Sequence, residues 1–318
     1  MPNPTLVTMF FDLTKLKDSN PSTRPIEFYL KNGKAILELD FPMYMFCDST
    51  TRPLIQKLRD ELVPNNKTIY IEKSISDYDH YKLNWDIIEG NRQNSIVYRH
   101  RKGDRVTTSY FLMGMFKPLA IRMAFLNDVF NSSHYIWMDF GCAHVAPLDI
   151  NNSANRIMNN PRPKVCICYI HYRGHVELHN MTDFTDSGAC GIATTVFSVE
   201  KTYVNRLYSA TMGIFYEKLA KGIGHTDETV FTYCYDRYPH LFSLYYGDYA
   251  STLTNYHHVR SQYASVKEYF IRNAISANRY DLAIEAAKNV YDALVHNDLV
   301  LPVGEVKLIK GLVEVEET

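Results

Sequence analysis

Runs of consecutive apolar residues, separated by polar or helix-period stretches, recur along this chain in the pattern of buried strands alternating with helices. Thr5 to Phe11 is β-branched and aromatic and reads as a first strand, followed by a polar loop through Pro25. Met43 to Cys47 is a second buried strand, stopped by Asp48-Ser49-Thr50. From Pro53, Leu54, Leu58 and Leu62 recur at helical spacing, and Thr68 to Ile71 is a third strand. Strand, helix and strand at this spacing make a βαβ unit. An α/β fold is therefore predicted, with a mainly parallel, Rossmann-like central sheet flanked by helices.

Residues 78–102 are polar, aromatic-rich and weakly periodic, and read as short helices and loops. A helix is predicted to start at Lys117 with Pro118 in its first turn, to carry Leu119, Met123, Leu126 and Phe130 on one face, and to stop at Asn131-Ser132-Ser133. Tyr135 to Met138 and Val165 to Tyr169 are further apolar strands. Val204, Leu207, Thr211, Phe215 and Leu219 mark an amphipathic helix stopped by Gly222, and another helix runs from near Asp227 to just before Pro239. Ser261 to Val295 is helical in character with a break at Ala277-Asn278, which predicts a helical hairpin, while Val306 to Thr318 reads as a short strand or a fraying tail. The chain thus divides into an α/β domain over residues 1–260 and a helical C-terminal extension, 261–318, packed on it.

Composition narrows the class of partner. The 318 residues are 46% hydrophobic, enough for a large core, and 34 basic residues almost cancel 35 acidic ones. No global field therefore favours nucleic acid or an anionic membrane. There is no 18-residue apolar run, and Met1-Pro2-Asn3-Pro4 lacks the layout of a secretory signal, so a cytoplasmic protein without a transmembrane segment is expected. The six cysteines are scattered in apolar contexts and read as buried free thiols.

Chemistry-bearing residues stand out at a few points. Asp139 follows the Tyr135 to Met138 strand directly, where open α/β sheets bind ligands; with His144 it could share a divalent ion, or it could cap a turn in which Gly141 supplies positive φ. Asp227-Glu228 sits at a helix start, where capping and the helix dipole explain both residues equally well. Asp248 and Asn255 lie among tyrosines, as in a sugar site or a tight turn. Lys117 and Arg105 are cations that could meet phosphate at a helix start or stand as ordinary surface charges. The small residues from Gly188 to Ala193 allow close approach of a ligand or of another backbone. His171, His175 and His179 are spaced by four, but a strand precedes them and a glycine interrupts them, and no HExxH is present. Neither a GxSxG elbow nor a GxxxxGK[ST] loop occurs.

Taken in order, the segments Thr5 to Asp12 (TLVTMFFD), Arg105 to Lys117 (RVTTSYFLMGMFK), Tyr135 to His144 (YIWMDFGCAH), Asp227-Glu228, and Tyr238 to Tyr256 with its Gly247-Asp248-Tyr249 resemble the HtrL/YibB (WlaTC-like) family over residues 5 to 260. That resemblance implies a GT-A-like fold and glycosyltransferase activity: a UDP- or GDP-linked sugar as donor, a glycan or other hydroxyl as acceptor, and Mn²⁺ or Mg²⁺ as metal. It implies donor contacts from Thr8, Phe10, Phe11, Arg105, Lys117, Asp139, Gly141 and Gly191, and a catalytic role for Asp227 and Glu228. The second aspartate usual two residues after the first is Gly141 here, so either Asp139 binds metal with help from His144 or Asp248, or metal binding is weakened or absent.

Overall fold

The structure is a computed structural model describing residues 3–19, 24–94, 107–146, 149–174, 178, 191–223 and 226–314. Seven strands form one sheet in the order β3-β2-β1-β4-β6-β5-β7. They are β1 (Pro4–Phe10), β2 (Met43–Cys47), β3 (Thr68–Glu72), β4 (His134–Met138), β5 (Val165–Tyr169), β6 (Ile192–Glu200) and β7 (Phe242–Tyr246). Only β6 runs against its neighbours; the pairs β1 with β2, β1 with β4, β2 with β3 and β5 with β7 are parallel. Tyr245 and Tyr246, which the sequence left between a sugar site and a tight turn, thus belong to a sheet strand.

Successive strand residues enter opposite cores, because side chains alternate across a sheet. Leu6, Met43, Met45, Ile136 and Met138 pack on one face under α1 (Ile26–Leu37), α2 (Arg52–Leu62) and α5 (Ile150–Asn159). Val7, Tyr44, Phe46, Tyr135 and Trp137 pack on the other, under α3 (Asp79–Asn94), α4 (Thr108–Leu126) and the helices Val204–Ala220, Asp227–Arg237 and Tyr280–Val295. The sequence reading assigned no element between Pro25 and Met43, yet Ile26, Tyr29, Leu30, Ile36 and Leu37 carry the helical spacing of α1.

Three elements differ from expectation. Residues 79–94 form one helix of 16 residues, not several short pieces; its buried face includes His80, Asn84 and Arg92, which hides the apolar period. α4 begins nine residues before Lys117, and Pro118 lies inside it. Its start is set by Thr107, whose side chain accepts from the Tyr110 N–H at 3.2 Å, and by Asp18, which accepts from the Ser109 N–H at 2.9 Å. Twelve α4 residues are buried, so no polar face marks where it begins. Finally, Val303–Glu314 is a helix, as the three-residue spacing of Val303, Val306, Ile309 and Leu312 allows; the expected strand or fraying tail does not occur over these residues. Among the described residues no helix is long and apolar enough to cross a membrane.

Candidate active site

A cavity of about 500 Å³ opens where β1 and β4 end and β6 begins. This is a typical size for a small-molecule site. Its apolar side is aromatic: Phe10 and Phe140 stack with centroids 4.8 Å apart and planes at 10°, and Tyr29 packs on Phe10 at 5.5 Å. Its polar side carries Tyr110, Lys117, Asp139, Thr194, Asp227 and Glu228.

Lys117 organises the polar side. From mid-helix, its Nζ reaches Asp227 Oδ2 at 2.8 Å, Asp139 Oδ1 at 3.0 Å and Oδ2 at 3.2 Å, and Thr194 Oγ1 at 3.1 Å. Thr194 Oγ1 in turn donates to Asp227 Oδ2 at 2.5 Å, and Trp137 Nε1 donates to Asp139 Oδ1 at 2.7 Å. The approach of Asp227 to α4 requires glycine at 114, where a Cβ would lie 2.6 Å from Asp227 Oδ1. Burial alone would lower the Lys117 pKa, but the two carboxylates hold it well above the usual lysine range. Asp227 moves the other way: burial would raise it, yet Lys117 and Thr194 hold it below the ordinary carboxylate value. Asp139 is raised by burial, against the pull of Lys117 and with a further push from Asp227. Only Asp139 keeps much surface, with 34% of its side chain exposed against 9% for each of the other two. Beside them Glu228 accepts from the Tyr249 hydroxyl at 2.9 Å. Burial, reinforced by Asp227, pushes the Tyr110 hydroxyl far up, so it remains a protonated donor in the wall.

A family model described as "Bacterial protein of unknown function (HtrL_YibB)" matches residues 2–258. The chain belongs to the HtrL/YibB family. No curated protein matches it. Among solved structures it is similar to apo mouse xyloside xylosyltransferase 1, at 12% identity and TM-score 0.42, over 75% of this chain and 83% of that one. It is similar to 4-diphosphocytidyl-2C-methyl-D-erythritol synthase of Anaerococcus prevotii at 11% identity and TM-score 0.35, over 78% of this chain and 90% of that one. A mannosyltransferase of Pyrobaculum calidifontis, solved with GDP-mannose and Mn²⁺, is similar at 12% identity and TM-score 0.29, over 99% of this chain and 81% of that one.

In this HtrL/YibB chain the cavity brings together Phe10, Phe11, Lys117, Asp139, Gly141, His144, Asp227 and Glu228. Three other expected contacts lie elsewhere. Thr8 is fully buried within β1 and does not line the cavity. Gly191 packs beneath Tyr169 and Thr232, where a Cβ would lie at 2.7 and 2.8 Å, so its small size serves the fold; residues 188–190 lie outside the described residues, and Thr194 and Thr195 line the cavity. Asp248 forms a capping box with Ser251, accepts from the Tyr249 N–H at 2.6 Å and from Ser265 Oγ at 3.2 Å, and is not on the cavity wall. Arg105, Cys190, His175 and His179 lie outside the described residues; the other five cysteines are buried and free. Lys117 stands buried in mid-helix between carboxylates, neither at a helix start nor on the surface as an ordinary charge. Gly141 has φ −93°, open to any residue, so the turn does not depend on glycine. Sequence reasoning also missed Arg24, Tyr29, Tyr110 and Thr194 as wall residues. Tyr110 was within reach, one motif position among many in the Arg105 to Lys117 segment, whereas Arg24 stands in the loop after Phe11 and Tyr29 in α1, neither of them in a motif.

The expected metal set does not assemble. His144 Nδ1 bonds the Gly141 carbonyl at 2.7 Å, and since a carbonyl only accepts, Nδ1 carries the proton and Nε2 accepts from Arg24 Nη1 at 2.9 Å. A metal ion at Nε2 would have to displace a guanidinium. With Asp248 capping its turn and both Asp139 oxygens facing Lys117, Asp139 is left alone, and among the described residues no group of three His, Cys, Asp or Glu is placed to hold a metal. The described residues do not fit a protein-built site for Mn²⁺ or Mg²⁺.

Proposed function

We propose that this chain transfers a sugar from a nucleotide-sugar donor to a hydroxyl acceptor. The observation that carries the reading is the two-sided cavity: an aromatic wall of Phe10, Tyr29 and Phe140 on which a nucleobase can pack faces a carboxylate-bearing wall suited to sugar hydroxyls and proton transfer. In this reading Asp139, the most open of the three charges joined through Lys117, accepts hydrogen bonds from the donor.

The acidic pair divides its roles. Asp227 is committed to Lys117 and Thr194, which favours its charged form and makes it a weak base. Glu228, half-buried on the wall and oriented by the Tyr249 hydroxyl, is the group we assign to take the proton of the attacking hydroxyl in an inverting transfer. As the acceptor oxygen bonds to the anomeric carbon, the bond to the nucleoside diphosphate breaks and the diphosphate leaves with the electron pair.

A panel of UDP- and GDP-sugars tests this by donor hydrolysis and transfer. Turnover is expected with at least one donor, and Glu228→Gln should lower kcat by roughly 100-fold or more with nucleotide binding retained. Because Asp139 and Asp227 both face Lys117, a catalytically silent nucleotide- or carbohydrate-binding protein is the second reading. Nucleotide binding without turnover of any donor would establish it and sink the first.

A further inference from the structure

We propose that Arg24, held by His144 and Phe28, binds the diphosphate of the donor, and that this contact needs no divalent ion. The inference rests on the nucleotide-sugar reading above. Arg24 is on the cavity wall, with its Nη1 2.9 Å from His144 Nε2 and its guanidinium 4.8 Å above the Phe28 ring. Neither partner is a carboxylate: His144 points Nδ1 at the Gly141 carbonyl and presents Nε2 to the guanidinium as an acceptor, and Phe28 presents its ring face. Among the described residues no carboxylate pairs with Arg24, whereas Arg52, Arg237 and Arg279 face Glu72, Glu217 and Asp281. Lys117, the other described cation of the wall, is shared by two carboxylates. Arg24 thus brings an uncompensated charge to the cavity, already oriented.

Its chemistry suits a diphosphate. One of five guanidinium N–H groups is used on His144, and the remaining fork can take two phosphate oxygens at once. A Cβ at Gly141 would lie 3.8 Å from His144 Nδ1, so a side chain there would stand beside the imidazole, and glycine brings no carboxylate to that place.

Calorimetry with UDP, GDP, uridine and guanosine, each in EDTA and in Mn²⁺, tests the proposal. At least one diphosphate should bind in EDTA about tenfold or more tightly than its nucleoside, the worth of a charge-assisted contact. Arg24→Met should remove that advantage and leave nucleoside affinity unchanged, which also shows that the variant folds. Arg24→Lys should restore part of the affinity, and His144→Phe should weaken diphosphate binding by an intermediate factor. Diphosphate binding only with Mn²⁺, or undiminished in Arg24→Met, overturns the proposal and leaves the nucleotide-sugar reading standing. If neither nucleosides nor diphosphates bind in any condition, both fall.

Discussion

Lys117 shows how far a single residue depends on neighbours that are remote in sequence. The sequence marks Lys117, Asp139 and Asp227 separately, but their union depends on α4, the end of β4 and the Asp227–Arg237 helix meeting at one point, with Gly114 opening the way for Asp227. No local pattern records that meeting, nor the part of Thr194, a threonine like any other in a buried strand. Removing the shared cation should be costly because it leaves two carboxylates facing each other with little water. Lys117→Met is expected to destabilise the fold by about 3 kcal/mol, the lower end for breaking a buried pair, since Asp139 remains a third open. Adding Asp227→Asn should recover part of the loss by removing the charge left unpaired. Urea denaturation of both variants checks this; a single variant within about 0.5 kcal/mol of the parent would mean that the network contributes nothing to folding.

At the level of elements, legibility followed burial. Fully buried strands such as β2 and β5 read directly as apolar runs. α4 was misplaced because it is apolar all round, and α3 because polar side chains occupy its buried face. The contact between these two helices carries a pH dependence. His80 of α3 donates from Nε2 to the Leu112 carbonyl of α4 at 3.1 Å, while its buried Nδ1 has no partner. Burial pushes its pKa down from 6.5 to about 4, with the Leu112 bond only partly offsetting it. Between these values the unfolded chain takes up a proton that the folded one refuses. The stabilisation is therefore complete above pH 6.5 and is lost as pH falls toward 4, to a limit on the order of 3 kcal/mol. His80→Gln keeps a donor for Leu112 but does not titrate, so its stability should fall less steeply between pH 7 and 4.5; equal slopes in the two proteins would exclude His80 as the source.

For the whole molecule, the βαβ spacing was enough to foresee a mainly parallel sheet with helices on both faces. Strand β6 was not foreseen at all, since its Ala-Thr-Thr start read only as a run of small residues, and its reversal could not be, because a buried strand has the same composition whichever way it runs. The join between the α/β part and the helices after residue 260 is the remaining whole-molecule question, and packing argues that it is a shared core. Phe270 lies 4.6 Å from the Tyr246 ring, 5.0 Å from Tyr169 and 5.8 Å from Tyr172, and the Tyr172 N–H donates to the Tyr269 carbonyl at 3.0 Å. Ala283, Ala286 and Val290 of the Tyr280–Val295 helix belong to the same buried cluster as β5 and β7. The family match ends at residue 258, but the cluster crosses that boundary. Uncovering several such side chains, each worth about 1.5–3 kcal/mol, removes an amount comparable to the 5–15 kcal/mol net stability of an ordinary domain. A chain ending at residue 260 should therefore lose its near-ultraviolet circular dichroism and aggregate, while the full chain melts cooperatively. If the shortened chain melts cooperatively within a few degrees of the full one, the C-terminal helices are an appendage, and the tyrosines of β5 and β7 are stable without their cover.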